Sequence, residues 1–335
     1  MDGMTALAPE TTHTTMLTAE PPDRLWRRVL GSGRVLVGGG LLLIVFLLSV
    51  LTLPWTARPS SGLYYDQQDP AAPLEPPHGD VMRLWFGIDS LGRSLLSRST
   101  MGGVISLTIG VASAAISVTL GVVVGLVAGY RGGWVDSLLM RTVDILYGLP
   151  YILLVILFKI ALEHPLEVVA ERLHWGSTRW LSPTSTANLV VLFLAIGLVS
   201  WLTMARVVRG QVLSLRAQPF IEACRAIGLK ERRIFARHLL PNLVGPVIVY
   251  ATLTIPVAIL EESFLSFLGI GIQPPLPTWG SLASEGLGKA LNPINSRWWL
   301  LVIPCVFLAV TLLSLNFLGD GLRDVFDPKR EAAKV

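Results

Sequence analysis

Long apolar runs separated by short polar segments recur along most of this 335-residue chain. Residues 35–53 and 101–130 contain no charged side chain. About 20 apolar residues in a helix cross the ~30 Å hydrocarbon core of a bilayer. Four more predominantly apolar runs follow, at residues 138–162, 187–205, 242–260 and 298–319. The pattern predicts an all-α, polytopic membrane protein with six transmembrane helices.

The segments around these runs define the predicted domain organisation. Residues 1–23 are rich in threonine and proline and lack apolar periodicity, which is typical of a disordered tail. The first run exceeds the about 7–15 apolar residues of a signal peptide, so it is expected to remain as a span. The predicted segments are a cytosolic tail at 1–34, a first transmembrane helix at 35–53, an extracytoplasmic segment with an interfacial helix at 54–100, a core at 101–319 that includes a cytosolic loop at 206–241, and a cytosolic tail at 320–335.

Composition agrees with a membrane protein. Charged residues make up 15% of the chain, against about 25% in a typical soluble domain. Cys224 and Cys305 are the two cysteines of the sequence, so no disulfide framework is expected. The net charge of +4 follows from the distribution of basic residues between loops and does not indicate nucleic-acid binding.

That distribution also predicts the orientation of the chain in the membrane. Basic residues are concentrated between the fourth and fifth runs: Arg206, Arg209, Arg216, Arg225, Lys230, Arg232, Arg233 and Arg237. The loop between the fifth and sixth runs carries Lys289 and Arg297. Because short cytoplasmic loops carry the excess of lysine and arginine, we place the first of these loops and both chain termini in the cytosol.

The polar segment at residues 219–242 has the pattern of two short helices joined by a glycine. Pro219 suits a first helical turn, and Glu222 lies in that turn, where the helix dipole favours a carboxylate. Gly228 is expected to end the first helix. A second, basic helix is predicted to run to Pro241. A segment of this kind between two spans indicates a contact surface rather than a reaction centre.

This segment resembles the EAA loop of binding-protein-dependent ABC importers. In that family the loop forms a coupling helix that sits in a groove of a cytosolic ATPase subunit. The positions that the resemblance assigns to coupling are Glu222, Ala223, Cys224, Gly228, Arg232, Arg233, His238, Leu240 and Pro241. The chain departs from the usual pattern at Cys224, where alanine is common, and at Leu229 and Lys230, where the second helix usually has a polar cap.

Two further strings resemble the dipeptide/oligopeptide (peptide/nickel) branch of these permeases, and in particular its C-type subunit. They are Phe-Gly-Ile-Asp-Ser-Leu-Gly-Arg from residue 86 and Leu-Ser-Phe-Leu-Gly-Ile-Gly from residue 265, the latter followed by Gln-Pro-Pro and Pro-Thr-Trp-Gly. His238 before Leu-Pro also fits this branch. Ser94 replaces a usual aspartate and Val104 a usual arginine. Together with residues 316–328 the resemblance covers about residues 86–328 and implies a type I importer permease fold.

The resemblance also implies partners. Residues 286–290 come nearest to a phosphate-binding loop, but the first glycine and the final serine or threonine of that pattern are missing. No cofactor or enzymatic activity is therefore expected in this chain. The implied partners are two ABC ATPase subunits that bind ATP and Mg²⁺, a second homologous permease subunit and an extracytoplasmic substrate-binding protein. The implied location is a bacterial or archaeal cytoplasmic membrane.

Small residues recur at every fourth position of the second run and share one helix face. They are Ser113, Ser117, Gly121, Gly125 and Gly129. Such residues let membrane helices approach closely. Their contact is expected either within this subunit or with a partner permease.

Glu262, Gly269 and Gly271 form a candidate outer gate at the end of the fifth run, on the resemblance to the family. The competing interpretation of Glu262 is a carboxylate at a helix end that faces water. The two glycines are expected to end the span.

The third run carries ionisable residues without a catalytic arrangement. Arg141 and Asp144 are expected to pair on one helix face. Lys159 is expected to extend from the outer end of the span toward water, and a kink is predicted near Pro150. The polar insert at 163–186 is expected to be a loop.

Two other functions are open at this point. The chain could belong to a permease for nickel or another small solute, because that branch shares the same strings. It could also be an intramembrane enzyme or an ion-coupled carrier, but those need paired ionisable groups at membrane depth. The runs contain no carboxylate pair, no serine–histidine pairing and no HExxH motif.

Overall fold

The structure is a computed structural model that describes residues 29–71, 73–175 and 181–326. The tail predicted to be disordered at 1–23, the centre of the polar insert at 176–180 and the chain beyond residue 326 lie outside the described residues.

Helices account for nearly all regular structure in the described part of the chain. They are α1 Gly33–Thr56, α2 Leu95–Arg131, α3 Gly133–Tyr147, α4 Tyr151–Arg172, α5 Pro183–Arg216, α6 Pro219–Ala226, α7 Glu231–Ile234, α8 Leu240–Phe267, α9 Trp279–Ala290 and α10 Trp299–Phe326. A 3₁₀ turn lies at Met82–Leu84 and a π-helical turn at Phe235–Leu239.

Five of the described helical segments are long and apolar enough to cross a membrane. The sixth is the pair α3 and α4, which pass the same test together but are bent by 97° between Tyr147 and Tyr151. The predicted all-α membrane fold is confirmed, and six spans result when this bent pair counts as one. The kink predicted near Pro150 is a complete break.

The helix predicted to stop at Pro241 does not stop there. From Glu231 the chain runs through the π-helical turn into α8, so residues 231–267 form one helical segment. Pro241 lies in the first turn of α8. A proline is tolerated there because a first-turn N–H has no helical partner to lose.

The described parts of the polar insert at 163–186 are largely helical, contrary to the predicted loop. α4 continues through Glu163 and Pro165 to Arg172. α5 begins at Pro183, where the hydroxyl of Ser182 accepts a hydrogen bond of 3.1 Å from the amide of Ser185. This side-chain cap explains why the fourth span starts before residue 187.

The two ends of the helix bundle differ in their content of basic residues. One end, called the basic end below, contains Arg131, Arg216 and Arg323 at the last turns of α2, α5 and α10. There Arg34 and Asp324 form a 3.0 Å ion pair between α1 and α10. The described chain therefore begins and ends at the basic end.

The stripe of small residues on α2 packs against α5 of the same subunit. A Cβ atom at Gly125 would lie 2.6 Å from the carbonyl oxygen of Ala205. A Cβ atom at Gly129 would lie 2.8 Å from Cβ of Val212. Gly121 faces Met204 in the same way. These approaches favour the contact within the subunit over a contact with a partner permease.

Candidate functional site: the coupling segment and the cavity of the bundle

The segment at residues 217–241 forms a helix–turn–helix at the basic end. α6 starts at Pro219, Glu222 lies in its first turn, and Gly228 follows its end with φ of 78°. That left-handed conformation is one that glycine adopts without steric cost. The predicted first helix, its acidic first turn and its glycine end are confirmed.

A small apolar cluster attaches this segment to the bundle. Ile221, Ile234 and Leu239 are completely buried in it. Tyr130, at the end of α2, packs on the cluster, and its ring meets the ring of Phe235 edge-on at 5.0 Å between centroids. Burial of three branched side chains stabilises the attachment by about 1.5–3 kcal/mol each.

Hydrogen bonds accompany the apolar contacts where the segment meets α2 and α5. The Tyr130 hydroxyl donates to Glu231 Oε2 at 3.0 Å, and Arg225 Nε donates to Glu231 Oε1 at 2.9 Å. The Arg216 guanidinium donates to the carbonyl oxygens of Gly129 and Tyr130, both at 2.8 Å. Glu231 thus connects the helix–turn–helix to the end of α2, and Arg216 connects the end of α5 to the same turn of α2.

The opposite face of the segment is exposed. Phe220 is 40% exposed and Ile227 is 76% exposed. Among the positions assigned to coupling, Glu222, Ala223, Gly228, Arg232, Arg233, Leu240 and Pro241 are exposed, whereas Cys224 and His238 are half-buried. The structure therefore brings these residues to one surface segment, with apolar side chains presented outward.

The ion pair predicted between Arg141 and Asp144 is wrong. Asp144 accepts a hydrogen bond from Arg206 of α5 at 2.7 Å, and the Arg206 guanidinium lies 4.1 Å from the centroid of the Tyr147 ring. Asp136 pairs with Arg209 of α5 in a similar way. Both acidic residues of α3 thus face α5, which draws them away from the arginine on their own helix.

At the other end of the bundle, five charged side chains form a network that the sequence pattern does not predict. Arg98 donates to Asp89 Oδ2 at 2.8 Å and to both carboxylate oxygens of Glu285, at 2.6 and 3.0 Å. Arg93 donates to the same Asp89 oxygen at 2.7 Å and to Asp66 Oδ1 at 3.1 Å. Asp89 and Arg93 belong to the string that starts at residue 86, but nothing local relates Glu285 to them.

The centre of this network is buried, and its two arginines contact three carboxylates. The Asp89, Arg93 and Arg98 side chains are 5%, 8% and 3% exposed. Burial raises the pKa of Asp89, but Arg98 and Arg93 outweigh it and hold that pKa below its usual value. Burial acts on Glu285 in the same sense, and Arg98 again lowers the pKa overall. Both carboxylates are therefore ionised and hold α9 against the start of α2.

Glu262 does not face water, as one of its two sequence interpretations required. It is completely buried. Its carboxylate accepts hydrogen bonds from Ser106 at 2.9 Å and Ser266 at 2.7 Å. The reason is that α8 continues to Phe267, so Glu262 lies more than one turn inside the helix and against α2. Gly269 follows the helix with φ of 80°.

Lys159 is likewise buried, at 7% exposure, rather than extended toward water. The span does not end near it, because α4 continues to Arg172. Lys159 therefore lies about three and a half helical turns before the end of α4.

A cavity of about 550 Å³ lies between the break of α3 and α4 and the helices α5 and α8. Tyr151, Ser200 and Glu261 meet in its wall. The Tyr151 hydroxyl donates to a Glu261 carboxylate oxygen and lies 3.1 Å from Ser200 Oγ. The sequence pattern does not relate these residues to one another, because they lie on three different helices.

Comparisons with known proteins identify the family. The model of the binding-protein-dependent transport system inner membrane component matches residues 121–332. The dipeptide transport system permease protein DppC of Bacillus subtilis is 38% identical over 304 residues, which cover 91% of this chain and 84% of that protein. The oligopeptide transport system permease protein OppC of Escherichia coli K12 is 42% identical over 308 residues and 91% of each chain.

Among solved structures, the MetNI methionine ABC transporter in inward-facing conformations aligns with 66% of this chain and 95% of its own matched chain. The identity is 21% and the TM-score is 0.44. The resemblance drawn from the sequence strings is confirmed by the family model and the two permease relatives. The chain therefore belongs to the binding-protein-dependent transport system inner membrane components, the multi-pass permease subunits of ABC importers.

Proposed function

We propose that this chain is the C-type permease subunit of an ATP-driven importer of di- and oligopeptides. The observation that carries the proposal is the exposed coupling helix α6, tied to the spans, in a member of this permease family. The choice of peptides over nickel is supported by the relatives, which are named for dipeptide and oligopeptide transport at 38% and 42% identity over most of the chain.

In this proposal the exposed face of α6 and the turn after it contacts an ATPase subunit. Phe220 and Ile227 are apolar and exposed on a segment rich in charge, and such side chains commonly mark an interface. Glu222, Ala223, Cys224 and Gly228 shape the helix and its end, and Arg232, Arg233 and His238 flank it. Leu240 and Pro241 begin the span that the motion reaches.

Energy comes from ATP and Mg²⁺ held by two partner ATPase subunits, and this chain breaks no bond of its own. Closure of the ATPase pair displaces α6, and the ties through Tyr130 and Arg216 transmit the displacement to α2 and α5. A second permease subunit forms the other half of the pathway, and an extracytoplasmic binding protein delivers the substrate. The basic end lies in the cytosol, in accord with its excess of arginine.

The test is uptake by the complete transporter in proteoliposomes. We expect uptake of a radiolabelled di- or oligopeptide that requires ATP and the binding protein. Glu222→Lys should reduce uptake about tenfold or more while ATP hydrolysis continues, because the coupling surface changes charge. Glu171→Lys, a charge reversal at the exposed end of α4, is the matched control and should keep uptake.

Two results would overturn the proposal. Normal peptide uptake by Glu222→Lys would remove the coupling role of α6. ATP-dependent uptake of a radioactive nickel complex, without peptide uptake, would replace the substrate.

A further inference from the structure

The cavity between the broken span and helices α5 and α8 has one charged side chain in its wall. Glu261 is half-buried and faces it, and no lysine, arginine or histidine lines it among the described residues. Arg206 contacts one residue of the cavity wall, because its guanidinium lies over the Tyr147 ring. This arginine is paired with Asp144 at 2.7 Å. Glu261 is therefore the one acidic side chain in the described wall, and no basic side chain lines the cavity beside it.

Both ends of the broken span line the cavity. Leu146 and Tyr147 end α3, and Tyr151 and Leu154 lie in the first turn of α4. A helix C-terminus carries a partial negative charge and a helix N-terminus a partial positive charge, so the two ends oppose each other in their effect on a ligand. The group that distinguishes this cavity is therefore the carboxyl group of Glu261.

The hydroxyl groups fix the position of the carboxylate. Tyr151 donates to one oxygen of Glu261 and contacts Ser200 Oγ at 3.1 Å. Ser200 in turn donates to the carbonyl oxygen of Ile196 at 2.9 Å. Tyr151 thereby holds one carboxylate oxygen, and the described residues show no hydrogen bond to the other.

We propose that Glu261 binds the amino-terminal ammonium group of a peptide as it crosses the bundle. An ammonium group supplies three donors and a positive charge, and charge-assisted hydrogen bonds of this kind are about twice as strong as neutral ones. A cavity of about 550 Å³ is also within the ~300–1,000 Å³ range of small-ligand sites. The inference deepens the proposed function and depends on it.

The experiment compares a peptide with and without this ammonium group. Radiolabelled tetra-alanine and its N-acetylated form are offered to the complete reconstituted transporter, each at a concentration that saturates the binding protein. Glu261→Gln keeps the shape and an acceptor for Tyr151 but removes the charge. Glu171→Gln, on the exposed end of α4, is the matched control.

We expect Glu261→Gln to lower uptake of free tetra-alanine about tenfold or more and to leave uptake of the acetylated peptide unchanged. Stimulation of ATP hydrolysis by the binding protein should persist, which shows that the complex is assembled. Tyr151→Phe should produce a smaller loss with the same selectivity, because it releases the carboxylate without removing it. Glu171→Gln should transport both peptides as the wild type does.

An equal loss of both peptides in Glu261→Gln would assign the residue a structural role and overturn the inference. Unchanged uptake of both would overturn it as well. Failure of the wild-type transporter to take up either peptide is a different result. It would overturn the proposed function, and the proposal that Glu261 binds a peptide ammonium group would be rejected with it.

Discussion

At the scale of single residues, Arg98 is a central member of the charge network that also contains Asp66, Asp89, Arg93 and Glu285. Arg98 is 3% exposed and contacts both carboxylates. Its replacement by methionine leaves the buried Asp89 with Arg93 as its remaining arginine partner and removes the two shortest hydrogen bonds of Glu285. Removal of one partner from a buried ion pair costs up to about 3–5 kcal/mol, so we expect Arg98→Met to lower the thermal unfolding temperature in detergent markedly.

The control is Lys289→Met, because Lys289 is near the same network but donates to Ser90 at an exposed position. It should change stability by less than about 1 kcal/mol. The pH dependence provides a second check. Since the folded pKa values of Asp89 and Glu285 are lowered, their contribution is present above the unfolded values of about 4 and is lost as the pH falls below them. Equal unfolding temperatures for the two variants would contradict the role of the network.

The structural position of a residue was predictable from the sequence where it depends on a short local pattern. Glu222 and Gly228 are examples, because a first helical turn and a glycine end depend on neighbours a few positions away. Glu285 and Glu261 were not predictable, because their partners come from helices that only the packing brings together. The interpretation of Glu262 as a water-facing carboxylate is wrong because α8 continues past it to Phe267.

At the scale of elements, the close approach of α2 and α5 depends on small residues at one face. A Cβ atom at Gly125 would meet the Ala205 carbonyl oxygen at 2.6 Å and Val208 Cβ at 2.8 Å. Gly125→Ala should therefore force the helices apart, with a loss of about 1–3 kcal/mol in stability despite the better helix propensity of alanine. The measurement is thermal unfolding of the purified subunit or complex.

Gly40→Ala is the matched control for this prediction. Gly40 lies in α1, and nothing stands within 4 Å of a Cβ atom placed there. Its replacement should leave stability unchanged or raise it slightly, since alanine favours the helix. A similar loss of stability in both variants would show that α2 and α5 are not held by this face.

Element type was more predictable than element boundaries. Apolar runs identify spans because the bilayer fixes their length. The ends depend on local geometry that composition does not reveal: the π-helical turn carries the helix past Pro241, and the Ser182 cap starts α5 at Pro183. The 97° break between α3 and α4 likewise exceeds what a single proline predicts.

At the scale of the whole molecule, the two ends of the bundle have different tasks in the proposed transporter. The basic end carries the coupling segment, which presents Ile227 at 76% exposure. The other end carries Leu291, which is 69% exposed after α9. These two side chains are comparable in size and apolar character, so they allow the two ends to be compared by the same substitution.

We expect Ile227→Asp to weaken attachment of the ATPase subunits and Leu291→Asp to leave it intact. Loss of one buried aliphatic side chain costs about 1.5–3 kcal/mol, which is about tenfold or more in dissociation constant. The measurement is the amount of ATPase that copurifies with the solubilised permease over a dilution series. Because Ile227 lies outside the buried cluster of Ile221, Ile234 and Leu239, the unfolding temperature of the permease should not change. Equal retention of the ATPase by both variants would mean that the ATPase does not bind at the exposed face of α6.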